Sequence, residues 1–259
     1  MSAIATFYDD VAEHYHLIFE DWEASMRRQG QAIASMLPLP DQVGPILDCA
    51  CGIGTQSLAL AQLGFQVDAS DLSCAEAARA QREAADRNLP VRVWVDDMRT
   101  LEKAPAGHYG AVLCMDNALP HLDSDADVKK ALRAMGARLR PGGLLCLSVR
   151  DYGPLIRERP KATPPSFFSD ATGQRIVFQV WDWLDDRRYV VHLYISRHVG
   201  QSWQDHHFIG HYRAISVEEV CALAVSAGFT DVRTRTPAET GFYQPVITAI
   251  WPETTQPRP

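Results

Sequence analysis

Residues 46–57 read ILDCACGIGTQS: an apolar run closed by an acid, two cysteines flanking one alanine, and two glycines one residue apart. A metal site, a thiol redox pair and the turn that seats a nucleotide all use such residues. A structural zinc site needs C-x2-C pairs and a second ligand cluster, whereas Cys49 and Cys51 are one residue apart with no second pair. A thioredoxin-like pair needs C-x-x-C. The cysteines are therefore expected to fill space around a turn that the glycines make. Glycine there reaches φ > 0 and lets backbone N–H groups approach a ligand, and the following helix N-terminus adds positive dipole.

Outward from the turn, a second strand-like run, FQVDAS, leads to Asp71, 17 residues past Gly54. A carboxylate about 20 residues beyond a glycine turn can accept hydrogen bonds from the ribose hydroxyls of a nucleotide. Dinucleotide dehydrogenases share this layout but ask for a third Gly or Ala, where this chain has Ser57. Asp48 would repel a pyrophosphate. Beside a nucleoside with an amino-acid tail it could instead orient the cationic amine. Asp48, Gly52, Gly54 and Asp71 thus point to S-adenosylmethionine rather than a dinucleotide.

Strand-like runs at 45–49, 66–70, 91–95, 111–115 and 143–149 alternate with helical stretches at 55–63, 73–87 and 125–139. That alternation predicts βαβ units and a mostly parallel sheet covered on both faces. Before it, residues 6–37 carry apolar positions three or four apart and read as helix, with two helices meeting near Gly30. After residue 150, ERPKATPPSFFSDATG reads as loop, and runs at 174–184, 188–199 and 204–213 as antiparallel hairpins. The expected organisation is an N-terminal helical cap (1–40), a cofactor-binding core (41–150), a loop and β-lid insertion (151–213), a C-terminal completion of the core (214–252) and a disordered tail (253–259).

The stretch ILDCACGIGTQSLALAQLGFQVDASDLS resembles the first two motifs of S-adenosylmethionine-dependent methyltransferases of Rossmann-like fold, and VDDMRTL and LRPGGLLCLSV continue the likeness. The resemblance implies a seven-stranded α/β sheet. It also implies that Ala50, Leu72 and Met115 line the cofactor site, that Asp97 reaches the adenine amino group and that Met98 packs beside the ring. CMDNALPHLDSD, SVRDYG and the N-terminal FYDDVAEHYHLIFEDW are similar to segments of glycine N-methyltransferases and glycine/sarcosine N-methyltransferases. By that likeness Asn117 contacts the acceptor amine and Arg150 pairs with its carboxylate. The aspartate after Arg150 and the long β-lid depart from the mammalian pattern, which leaves the acceptor open.

Methyl transfer from a sulfonium asks the protein to align an unprotonated lone pair and to exclude water. Tyr8 and Tyr15 through their hydroxyls and His121 as proton acceptor are candidates for that work. Tyr8, Tyr15, Trp22, Tyr152 and Tyr243 could wall a cationic methyl site. The histidines of HHFIGHY and HYH lack a carboxylate or cysteine at ligand spacing, so no metal is expected. A formal charge of −7 opposes nucleic acid or anionic membranes as partners, and the N-terminus has no export signal. The expectation is a cytoplasmic enzyme, free to form a homo-oligomer, that methylates the nitrogen of a small molecule such as glycine or sarcosine and releases S-adenosylhomocysteine. An N- or O-methyltransferase of a heterocyclic or specialised metabolite, and a non-catalytic S-adenosylmethionine-binding protein, are the alternatives.

Overall fold

The computed structural model describes residues 3–170 and 173–253. The chain enters through α1 (Ala3–Val11), a 3-10 turn (Tyr15–Ile18), α2 (Trp22–Ala34) and the short α3 (Pro40–Val43). It then alternates β1 (Ile46–Asp48), α4 (Thr55–Gln62), β2 (Val67–Asp71), α5 (Cys74–Asp86), β3 (Arg92–Val95), β4 (Tyr109–Cys114), α6 (Asp125–Arg138) and β5 (Leu139–Ser148). All residues of β1 and β4 are buried, as continuous apolar runs in a sheet covered on both faces should be. Serines start the helices: Ser73 Oγ accepts from Glu76 N–H at 3.1 Å and Ser124 Oγ from Asp127 N–H at 3.1 Å.

After α7 (Tyr152–Glu158), β6 (Ser166–Asp170), β7 (Gly173–Trp183), β8 (Arg188–Val199) and β9 (Ser202–Arg213) form a separate four-stranded antiparallel sheet. The chain returns through α8 (Val217–Ala227), β10 (Thr230–Arg235), α9 (Pro237–Thr240) and β11 (Val246–Ile250). The main sheet has the order β10-β11-β5-β4-β1-β2-β3, parallel except for β11. It is the seven-stranded, mostly parallel α/β sheet that the alternation and the resemblance led us to expect. Strand order reverses between β1 and β4, so the crevice at their carboxyl ends is where such sheets bind ligands. One core cluster lies between the sheet and α6 and α8, another between its opposite face and α2 and α4.

Three local expectations are corrected. Gly30 does not break the N-terminal helix. It lies inside α2, where a Cβ would sit 2.5 Å from Ala59 Cβ, so it permits close packing on α4. The break falls at residues 12–21. The stretch read as loop contains β6, whose Ser166–Asp170 pairs with β7, giving the lid four strands instead of three. The RPGG segment, whose proline and glycine pair predict a helix end and turn before β5, lies within the span of β5, and the shift in its pairing with β4 falls between Tyr109 and Ala111. Of the expected disordered tail, residues 254–259 lie outside the described residues.

Candidate active site

Two cavities meet at the carboxyl edge of the main sheet. The first is walled by the turn after β1, the ends of β2 and β3 and the segment after β4, and includes Ala50, Gly52, Asp71, Leu72, Asp97, Met98 and Met115. Gly52 and Gly54 have φ of 53° and 93°, the left-handed turn for which glycine was expected. Asp71 is already engaged on both oxygens, accepting from Gly52 N–H and Ser73 N–H at 2.9 Å each. Burial raises its pKa against the pull of these bonds. A carboxylate oxygen has a second lone pair, so Asp71 retains acceptor capacity toward a ligand. Asp97 takes the fork of Arg99 at 2.6–3.0 Å; burial alone would raise its pKa, and Arg99 holds it below the usual carboxylate value.

Asp48 and Gly54 are not part of this wall. Gly54 caps α4. Asp48 lies beneath the turn, fully buried, with Oδ2 accepting from Ser57 Oγ at 2.6 Å and, among the described residues, no hydrogen-bond partner within reach of Oδ1. Burial lifts its pKa to about 6. Cys49 and Cys51 are buried beside the turn, and their thiols are pushed well above the usual value: Cys49 by neighbouring Cys114 and burial, Cys51 mainly by burial. Neither is a ready thiolate nucleophile.

The sequence reading missed Glu76. It lines the first cavity at 1% exposure, its Oε1 has no hydrogen-bond partner among the described residues, and a Cβ on Gly52 would come within 2.8 Å of its Oε2. Burial and Asp71 push its pKa well up. An orphaned carboxyl beside a glycine cradle fits a cavity built to receive a polar, cationic ligand. The SDLS motif marks where α5 starts, but only the fold shows that its third residue points into the cavity.

The second cavity takes its wall from segments far apart in the chain: Phe7 and Tyr8 of α1; Tyr15, Ile18 and Phe19; Ser25, Arg28 and Gln29 of α2; Asp116, Asn117 and Arg150 of the core; Gln179, Val191, Leu193 and Tyr212 of the lid; and Gly241, Tyr243 and Gln244. Tyr8, Tyr15 and Asp116 line both cavities. The lid and the N-terminal segment are clasped by Arg175, which donates to the carbonyls of Leu17 at 3.0 Å, Phe19 at 2.6 Å and Glu20 at 2.9 Å. Trp22 and Tyr152, expected in the acceptor wall, are in neither. Trp22 packs between α2 and α4 and donates from Nε1 to Thr55 Oγ1 at 2.9 Å; Tyr152 is fully buried, its hydroxyl bonded to Tyr189 and Asn117.

Arg150 follows β5, half-buried, with its guanidinium 5.2 Å from the Trp181 ring centroid and 5.7 Å from that of Tyr212. Its guanidinium makes a long hydrogen bond, 3.4 Å, to Tyr189 Oη, and no carboxylate among the described residues forms an ion pair with it. Asn117 bridges the two loops instead: Oδ1 accepts from Arg150 N–H at 3.0 Å and Nδ2 donates to Tyr152 Oη at 3.0 Å.

His121 Nδ1 lies 3.0 Å from the His211 carbonyl, which can only accept, so this nitrogen carries the proton. Nε2 is left to accept from Tyr8 Oη at 2.6 Å. Burial lowers the His121 pKa to about 4, so the imidazole is a weak base that fixes Tyr8. His16 is also lowered to about 4, by burial and then by Arg79. Both are neutral when folded but protonate near 6.5 when unfolded. Their stabilisation is full above pH 6.5 and is lost as pH falls toward 4. Asp48 acts with the opposite sign. The test is therefore a difference: between pH 6.5 and 4 the urea midpoint of the His121→Asn variant is expected to fall less steeply than that of the native protein, by about one proton equivalent. Equal slopes would contradict a neutral buried His121.

Residues 46–143 match the family model of the methyltransferase domain. That range carries the glycine turn, Asp71 and the segment after β4. The chain is 34% identical over 136 residues to a glycine/sarcosine N-methyltransferase of Parasynechococcus marenigrum, covering 52% of this chain and 48% of that protein. It spans about half the length of the curated relatives it matches. Among solved structures, DesVI of Streptomyces venezuelae superposes with a TM-score of 0.76 at 15% identity, covering 93% of this chain and 98% of that one. CalS10 of Micromonospora echinaspora, an amino pentose methyltransferase solved with S-adenosylmethionine bound, gives 0.70 at 20% identity, covering 92% and 94%. These likenesses extend through the lid and establish the fold of S-adenosylmethionine-dependent methyltransferases. CalS10 binds S-adenosylmethionine, and the first cavity of this chain has residues that fit such a group: the Gly52 cradle, Asp71 with spare lone pairs, and Glu76, whose Oε1 has no hydrogen-bond partner among the described residues.

Proposed function

We propose that the protein is an S-adenosylmethionine-dependent N-methyltransferase whose acceptor is a small molecule bearing an amine and a carboxylate, of the glycine or sarcosine kind. The observation that carries this reading is Arg150, a guanidinium without a carboxylate partner among the described residues, facing a cavity that adjoins the cofactor-side cavity. A half-buried charge at a cavity wall gains most from a ligand of opposite charge, and a guanidinium fork matches a carboxylate. The similarity to a glycine/sarcosine N-methyltransferase supports the same acceptor class.

When bound, S-adenosylmethionine supplies a methyl group on a sulfonium, whose S–C bond breaks with its electron pair left on sulfur. The residues of the chain do the rest. Asp71 and the Gly52 turn hold the nucleoside end in the first cavity. Arg150, held beside the Trp181 and Tyr212 rings, orients the acceptor carboxylate in the second. Tyr8, with its proton committed to His121, presents oxygen lone pairs at the boundary. The clasp from Arg175 to residues 17–20 keeps water from the junction.

The test is methyl transfer from labelled S-adenosylmethionine to glycine and sarcosine compared with glycinamide and methylamine, which lack the carboxylate. The two carboxylates are expected to react with at least about tenfold higher kcat/KM, the worth of one charged hydrogen-bonded contact. Equal values would remove the role of Arg150. The aromatic wall of Phe7, Tyr15, Phe19 and Tyr243 favours, as a second reading, a bulkier specialised metabolite as acceptor. No transfer to any small amine would turn preference to it.

A further inference from the structure

Asp116 is the ionisable carboxylate at the boundary of the two cavities. It shares that boundary with Tyr8 and Tyr15. It follows β4 in a strained backbone, with φ of 55° at Asp116 and 66° at Asn117, two successive left-handed residues that are not glycine. Such strain persists only where neighbours over-determine it, and it gathers at functional sites. Here a relay imposes it: Asp116 N–H donates to Ser148 Oγ at 2.7 Å, and Ser148 donates to Gln244 Oε1 at 2.9 Å. The result aims the carboxylate at the junction. Tyr15 Oη donates to Oδ2 at 3.3 Å, and Tyr243 Oη donates to Oδ1.

Resting on the reading of the previous subsection, we propose that Asp116 binds the acceptor ammonium and takes its proton, so that the acceptor is a zwitterion held by its ammonium at Asp116 and its carboxylate at Arg150. An ionised carboxylate offers about four lone-pair sites, and two tyrosine hydroxyls leave two for N–H donors. An acceptor amine arrives protonated at neutral pH and cannot attack in that form. Transfer of one proton from nitrogen to a carboxylate oxygen of Asp116 leaves the electron pair on nitrogen, at the boundary with the cofactor-side cavity. The proton then leaves by way of Tyr243, which is 53% exposed and bonded to the same carboxylate. Burial raises the Asp116 carboxyl above the usual carboxylate value, which suits a proton acceptor, while the Tyr243 hydrogen bond and then the nearby Arg150 favour its charged form.

The experiment measures binding to protein saturated with S-adenosylhomocysteine, using sarcosine, its isosteric ether methoxyacetate and ethylammonium. Sarcosine is expected to bind native protein about tenfold or more tightly than methoxyacetate, which keeps the carboxylate and lacks the ammonium. In Asp116→Asn, a residue that tolerates left-handed φ, that gap should close while S-adenosylhomocysteine affinity is retained. Methoxyacetate binding native protein as tightly as sarcosine, or a gap that survives in a folded Asp116→Asn, overturns the role of Asp116 and leaves Arg150 standing; Asp116 is then a clamp for Tyr15 and Tyr243. If the variant does not fold, the native ratio decides. Binding of ethylammonium alone, lost in Asp116→Asn, supports Asp116 and overturns the carboxylate reading. Binding of none of the three overturns both.

Discussion

Replacing Arg150 by lysine is expected to lower kcat/KM for an amino-acid acceptor by about 100-fold while S-adenosylmethionine affinity stays within about threefold of native. The charge survives the change, so the loss measures geometry. The guanidinium lies 5.2 and 5.7 Å from the ring centroids of Trp181 and Tyr212, within cation–π range of both. An ammonium is a point donor. It cannot offer two parallel N–H bonds to one carboxylate, and stacks less well on an aromatic face. A 100-fold loss is about 2.7 kcal/mol, inside the range of about 2–5 kcal/mol found when one partner of a buried charged pair is truncated. The cofactor-side cavity does not include Arg150, so cofactor binding serves as the internal control. An Arg150→Lys enzyme with near-native kcat/KM would place the acceptor carboxylate elsewhere, or mean that the acceptor has none.

The second large effect is on stability. Gly110→Ala is expected to cost about 3 kcal/mol or more, at the upper end of overpacking effects. Gly110 lies in β4, where the connection from α3 to β1 crosses close by: its N–H donates to the Pro45 carbonyl at 2.9 Å, and a Cβ would stand 1.6 Å from the Val43 carbonyl oxygen. Nothing flexible can yield there, because the obstructing atoms are backbone. For a chain of this size the midpoint of thermal unfolding should fall by about 6–12 °C, at about 2–4 °C per kcal/mol. Gly107→Ala is the comparison. That site has no heavy atom within 4 Å of a new Cβ and carries only the strain of φ 61°, so it should cost about 1 kcal/mol. Equal midpoints for the two variants would show that the crossing at Val43 relaxes without cost.

The main sheet was legible in the sequence because each of its signals is local. Buried parallel strands must be apolar along their length, and a helix must be amphipathic, so the alternation over residues 45–149 can be read without knowing which strand neighbours which. The glycine turn was legible for the same reason: Gly52 and Gly54 adopt positive φ regardless of what lies far along the chain, and Asp71 ends the next strand. Trp22 and Tyr152 show where locality stops. Their aromatic character is equally compatible with a cavity wall and with a core, and only the approach of α4 to Trp22 and of Tyr189 to Tyr152 decides for the core.

Gly30 was ambiguous in the same way. A glycine in a helical pattern can mark a break or a close contact, and the contact with Ala59 lies on another helix. Within CMDNALPHLDSD the likeness to glycine N-methyltransferases singled out Asn117, while the residue before it stands where the cavities meet. Neighbours in sequence differ here because Ser148 and Gln244, the latter 128 residues on, set the backbone that turns Asp116 toward the junction and leave Asn117 to bridge Arg150 and Tyr152. Sequence patterning by itself thus determined the layers, the strand alternation and the cofactor-side turn, all of which depend on periodicity and on conformations that single residues prefer. Tertiary structure alone decided which polar groups share the second cavity, because its wall joins segments from residue 7 to residue 244, and their packing is what leaves Arg150 without a carboxylate partner among the described residues.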